Sequence, residues 1–238
     1  MDSFTFVVQE GTVIDAALYA QRLRELGVST ADMQSLRVRL ADVAGTRRAI
    51  LYINNGIPAL VLRPLAPAPQ EITMSALPIP DERTVPEKVG PDSGWQQTQL
   101  ALLPSDEGLL ADAAGNVVCA IMRPLIAIHE SEDPAHGICA YISTHPHTPR
   151  SVALDGVVDI LRAHGVCVHT LPEGFSLGQL HDSEVWVVDP VYGVRLVESW
   201  VEYGTPRSAR LLFERAGVPS HREVNEARAK RAATFYSH

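Results

Sequence analysis

The stretch Asp106–Ile128, DEGLLADAAGNVVCAIMRPLIAI, decides how this chain reads. Leu109 to Asp112 and Val117 to Met122 are short apolar runs on either side of Ala113-Ala114-Gly115-Asn116. Apolar runs bounded by turn residues predict a pair of strands joined as a hairpin. Leu125 to Ile128 predicts another strand, and so do Ile138 to Ile142, Val166 to Leu171, Glu184 to Val188 and Val194 to Val197. Between the first two of these, HESEDPAHG (129–137) is polar and reads as an exposed loop. From Ser151 to His164 the spacing of Leu154, Val157, Val158 and Leu161 puts four apolar side chains on one helical face, and Gly165 stops the helix.

Toward the amino terminus, Asp15 caps a predicted helix that runs through Leu26 to a stop at Gly27. Thr30 caps a second helix through Met33, Leu36, Leu40 and Val43, ending before Gly45. Arg48 to Asn54 and Ile57 to Arg63 flank Asn55-Gly56, a strong tight-hairpin signal, and Glu71 to Leu77 predicts a third strand of the same unit. Prolines 64, 67, 69, 78, 80, 86 and 91 then punctuate the chain. The expected boundary lies near residues 78 to 92, giving a small α+β domain over 1–80 and a larger domain over 81–238. From Pro206 onward two amphipathic helices are expected. The class is a mixed two-domain α/β (α+β) protein.

Composition narrows the function. At 238 residues and 46% hydrophobic, the chain has enough apolar material for a sizeable core. A net charge of -8 disfavours nonspecific attraction to nucleic acid or an anionic membrane. The amino terminus has no basic region followed by an apolar core, and no apolar run is long enough to span a bilayer, so a cytoplasmic protein is expected. Cys119, Cys139 and Cys167 form no paired framework. The only lysines are Lys88 and Lys230, which leaves two candidates for any chemistry that needs an amine.

These segments, read in order, resemble the class IV aminotransferases, the family of branched-chain and D-amino-acid aminotransferases and 4-amino-4-deoxychorismate lyase. The resemblance implies a small amino-terminal domain, a larger domain carrying pyridoxal 5'-phosphate (PLP), and a homodimer. In LYAQRL, Arg22 stands where the family's phosphate-binding arginine stands. From the residues alone, Arg22 shares a helical face with Leu18 and Leu26, and a snorkelling arginine reads equally well. The family's Schiff-base lysine corresponds to the region Pro86-Glu87-Lys88-Val89-Gly90-Pro91-Asp92. If Gly90-Pro91-Asp92 sets the register, Lys88 is one residue early on a strand and Val89 takes its place; an exposed loop lysine is the other reading.

Several positions depart from the family pattern. Cys119 stands where the resemblance puts the glutamate that keeps the pyridine nitrogen protonated, and a neutral thiol cannot do that work. The phosphate-cradling helix start, Gly-Ile/Val-Thr in relatives, is Ser151-Val152-Ala153, where a helix terminus still attracts anions. The last phosphate segment corresponds to Asp189-Pro190: proline removes an amide donor, and a carboxylate repels a phosphate unless a cation bridges them. The chain also begins at the strand before Gly11, without the preceding strand that supplies an aromatic wall in relatives. His145-Pro146-His147, Cys167-Val168-His169 and His181 contain metal-ligand residue types, yet no CxxC or HExxH spacing fixes a geometry, so no metal is assigned. Two functions follow as expectations. One is a divergent PLP enzyme, with Lys88 as its amine, acting on an amino acid or an amino-chorismate-like substrate. The other is a catalytically inactive relative retained for binding or assembly.

Overall fold

The computed structural model describes residues 2–131 and 137–235. Its first sheet holds β1 (Asp2–Gln9), β2 (Thr12–Val13), β3 (Thr46–Asn54) and β4 (Ile57–Pro64), with α1 (Ala16–Glu25) and α2 (Thr30–Ala41) between β2 and β3. β1 and β3 run antiparallel, and their side chains alternate. Phe6, Val8, Ala49, Leu51 and Ile53 point into a core with Tyr19, Leu23, Leu36 and Leu40 of the helices. Thr5, Arg48, Ile50 and Tyr52 are left for the other face. Asn55 and Gly56 both have positive φ (49° and 78°), which a two-residue hairpin of this hand requires.

Next come β5 (Glu71–Ser75), β6 (Ile79–Pro80), α3 (Ser93–Ala101), β7 (Leu109–Ala111), β8 (Val117–Ala120), β9 (Leu125–Glu130), β10 (Ile138–Ser143), α4 (Val152–Ala163), β11 (Cys167–Leu171) and α5 (Leu177–His181). The chain continues through β12 (Glu184–Asp189), β13 (Gly193–Glu202), β14 (Thr205–Ser208), α6 (His221–Ala229) and β15 (Ala233–Thr234). The large sheet has the order β11-β10-β9-β12-β13-β14, and β6, β7 and β8 form a small third sheet. β10, α4 and β11 make a parallel crossover. α4 lies under the large sheet and buries Ala153, Leu154, Val157, Val158, Ile160 and Leu161, while Val152 reaches the first core. Trp186 is fully buried in the core between the large sheet and α4.

Some expectations are corrected. Glu71–Ser75 is a strand but not the third of the amino-terminal unit: β5 pairs in parallel with β13 of the large sheet. The carboxyl end returns the other way, with β15 pairing β2 and Phe235 in the first core. Asp15 caps no helix with its side chain; its carboxylate takes both Nε and Nη2 of Arg228 instead (3.1 and 2.8 Å). Ser29, not Thr30, caps α2, accepting from Asp32 N. After Pro206 the described residues hold one helix, not two. β14 instead closes a hairpin on β13, with Tyr203 and Gly204 at positive φ. α3 and α5 went unread, although Ser176 and Gln179 form a capping box at α5. The 129–137 loop falls partly outside the described residues. No helix is long and apolar enough to cross a membrane among the described residues.

Candidate anion-binding cleft

A cleft of about 250 Å³ opens between the first sheet and the start of α4. One wall is the solvent-side face of β1 and β3: Thr5, Arg48, Ile50 and Tyr52, with Ser3 at the end of β1. The facing wall is the loop Lys88–Pro91 and the first turn of α3. Met122, Arg123, Pro124 and Pro190 form the floor, and Arg150, Ser151 and Val152 close the end at α4.

The loop over 84–92 is held by one buried carboxylate. Asp92 accepts from Thr84 N (3.0 Å), Thr84 Oγ1 (2.7 Å) and Val85 N (2.9 Å). Burial opposes its charge, but these donors outweigh burial and hold the carboxyl below the usual carboxylate range. The loop's other end is pinned to β1. Ser3 Oγ donates to Val89 O at 2.9 Å, and Gly90, at φ +112°, lies so close that a Cβ would sit 2.4 Å from Ser3 Oγ.

Lys88 therefore lies in a loop and not on a strand, and the one-residue register argument does not arise. Its side chain is 39% exposed on the cleft wall, with Nζ 3.6 Å from Asp2 Oδ2. Ser151 and Val152 reach the cleft; the Ser151 side chain accepts from Leu154 N as the cap of α4. Pro190 reaches it too. Ala153 is buried behind the helix start and Asp189 behind the floor. Arg22 lies in a neighbouring groove with Arg150, Asp155 and Arg162, and donates to Glu25 Oε2 at 2.8 Å. The snorkelling reading describes it.

Asp189 is fully committed. Oδ2 accepts from Arg123 Nε at 2.7 Å, and Oδ1 accepts from Val191 N and Tyr192 N (2.7 and 3.1 Å). Burial would raise its pKa, but the Arg123 charge and these donors keep it below the ordinary value. The bridging cation that a carboxylate here requires is thus supplied by the chain itself.

Cys119 is sealed away from the cleft. It sits 3.5 Å from Nη2 of Arg83, whose guanidinium grips Asp81 through Nε and Nη2 (2.7 and 2.8 Å) and donates to His147 O (2.7 Å). Burial pushes the thiol up to about 12, so it is neutral at any ordinary pH. Sequence reasoning missed this pair; the Asp-x-Arg spacing at 81–83 was its only local signal. It also missed Arg48, Arg123 and Tyr19. Tyr19 OH donates to Thr5 O at 3.3 Å, and burial raises its pKa far above the usual tyrosine value, so it faces the cleft as a neutral phenol.

The electrostatics are one-sided. Arg48, Lys88, Arg123 and Arg150 line the cleft, and among the described residues no aspartate or glutamate does. Arg48 Nε is buried and has no hydrogen-bond partner among the described residues. A buried guanidinium donor without an acceptor is costly, and an anion entering the cleft relieves that cost. The residues fit PLP only in part. Cations and a helix terminus suit its phosphate, and an amine is at hand, but among the described residues no acid faces the cleft to hold a proton on the ring nitrogen.

No family model matches the chain, and no curated protein matches it in sequence. Solved structures do match. A hypothetical aminotransferase from Mycobacterium tuberculosis in apo form superposes with TM-score 0.70 at 14% identity, over 95% of this chain and 87% of that one. A fold IV transaminase from Curtobacterium pusillum gives TM-score 0.63 at 13% identity, covering 97% and 84%. The branched-chain amino acid aminotransferase of Escherichia coli gives 0.64 at 12% identity, covering 95% and 82%. With its small amino-terminal sheet, its larger sheet and the cleft between them, this chain has the fold of the fold-type IV aminotransferases.

Proposed function

We propose that this protein is a binding relative of the fold-type IV aminotransferases that holds an anionic small molecule in the cleft and does not catalyse amino transfer. One observation carries the reading: among the described residues, four cationic side chains and no carboxylate line the cleft. The absence of a carboxylate there removes the acid that makes PLP an electron sink, while the cations remain for a phosphate or carboxylate ligand. The residues present do not support a catalytic step through PLP. A cytoplasmic homodimer is part of the proposal: the family resemblance supports the dimer, and the amino-terminal sequence supports the compartment.

A PLP-dependent enzyme is the second reading, and the position of Lys88 on the cleft wall favours it. The Mycobacterium tuberculosis relative is known in a PLP-bound form, and an amino compound would be the substrate here.

Calorimetric titration with PLP, pyridoxal and inorganic phosphate, together with absorbance spectra, separates the two. The binding reading expects the phosphorylated ligands to bind, weakened by Arg48→Ala, with no turnover of an amino donor. Turnover that Lys88→Ala abolishes would replace it with the enzyme reading. Failure of both PLP and inorganic phosphate to bind would overturn the cleft assignment altogether.

A further inference from the structure

Outside the cleft, the large sheet brings two cysteines and a histidine together on one face. Cys139 on β10 is the register partner of Cys167 on β11, and Tyr141 is the partner of His169. Ala140 and Ile142 turn toward the core over α4, so period-two alternation sends Cys139, Cys167 and His169 to the opposite face. There Cys139 Sγ, Cys167 Sγ and a His169 ring nitrogen all lie within 4.8 Å of one another. Cys167 Sγ and His169 Nε2 are 3.3 Å apart. Cys139 is fully buried, and Cys167 and His169 are half-buried at the rim.

We propose that Cys139, Cys167 and His169 form a binding site for a borderline-soft divalent metal of the zinc class. Two thiolates and an imidazole are the donor set such ions prefer, and the absence of a carboxylate among the three disfavours magnesium or calcium. The distances agree. Tetrahedral zinc with ordinary bond lengths spaces two sulfurs by about 3.8 Å and a sulfur from a nitrogen by about 3.6 Å. The donors reach that spacing by moving less than about 1 Å, within what side-chain rotation on fixed strands allows. Two thiolates neutralise the dication, and binding releases one proton from each thiol. His169 is oriented by a ring stack with Tyr141 (centroids 5.1 Å), which in turn stacks on His129 at 4.2 Å. Three protein donors leave a fourth position for an exogenous ligand such as water.

The site is independent of the cleft, so either reading can fail without the other. The test uses the whole protein, reduced and stripped with a chelator, then titrated with Zn²⁺ and with Co²⁺, whose thiolate charge-transfer absorption reports sulfur ligation. The expected result is one metal per chain with that absorption. Cys167→Ser and His169→Ala, both at the rim, should each weaken binding by at least about tenfold while leaving the circular dichroism unchanged. Failure of the reduced wild type to bind either metal overturns the proposal. So does binding that survives both variants, and so does a Cys139–Cys167 disulfide whose reduction restores no metal affinity.

Discussion

Arg123 Nε donates to Asp189 Oδ2 at 2.7 Å, and this contact ties the loop after β8 to the end of β12 beneath the cleft. The two residues are 66 apart in sequence, and both are largely buried. A carboxylate that would repel an anionic ligand is thereby neutralised below the floor, and Arg123 still contributes to the cleft lining.

Arg123→Gln removes the cation and leaves Asp189 buried and uncompensated. The expected loss at neutral pH is about 3 to 5 kcal/mol. In the wild type, Asp189 titrates below its unfolded value. Its contribution is therefore present above about pH 4 and fades as pH falls through the folded value. In the variant the Arg123 charge no longer opposes burial and only the Val191 and Tyr192 amides do, so the pKa rises and the deficit should shrink on acidification. Urea unfolding of both proteins at neutral and mildly acidic pH checks this; a deficit independent of pH would contradict the pairing.

Glu107 behaves in the opposite sense. Its side chain is buried, Oε1 accepts from Gly108 N and Met122 N (3.2 and 3.3 Å), and burial pushes its pKa up to about 7. A carboxyl raised on folding costs nothing below its unfolded value and destabilises progressively as pH climbs from about 4 to about 7. Glu107→Gln keeps the acceptor and removes the charge. It should therefore gain stability relative to the wild type over that window, by at most about 3 kcal/mol. Denaturation midpoints across the window measure it, and a constant difference would refute it.

Arg228 and Asp15 join α6 to the turn before α1, with both side chains almost wholly buried. Asp15 Oδ1 has no partner among the described residues and packs against Gly156 of α4, where a Cβ would come within 2.8 Å of the carboxylate. Arg228→Ala should cost about 3 to 5 kcal/mol, whereas Arg222→Ala, an exposed pair with Glu71, should cost less than about 1 kcal/mol. Comparable losses from thermal unfolding of the two variants would show that burial is not what matters.

Cys119 is neutral and enclosed, while Cys167 is half-buried. A thiol-alkylating reagent at neutral pH should leave Cys119 unmodified in the folded protein and modify it after denaturation, as read by peptide mass spectrometry. Rapid native labelling of Cys119 would mean that the Arg83 cluster opens readily.

Legibility followed the range of the interaction. The β3–β4 hairpin was readable because Asn55-Gly56 sets its own backbone conformation. α4 was readable because burial stamps a helical period on Leu154, Val157, Val158 and Leu161. β14 was not: Thr205–Ser208 is fully exposed and polar, so it carries no alternation, and only its backbone pairing with β13 makes it a strand. β5 showed itself as a strand but not its neighbour, because a strand's own pattern does not name the edge it will join. Among the candidate site residues, Lys88, Ser151, Val152 and Pro190 converge on the cleft, while Arg22, Cys119, Ala153 and Asp189 do not.

By itself the sequence determined the types of most elements and the α/β class, since these depend on local period and turn chemistry. Only the tertiary structure decided which charges meet. Arg22 turns to Glu25 three residues away, Arg123 to Asp189 across 66 residues, Arg228 to Asp15 across 213, and Arg48 to no protein acceptor at its buried Nε among the described residues. Charge pairing acts over a few ångströms of space and leaves no period in the chain, so the cationic cleft became visible only once the two sheets had been brought together.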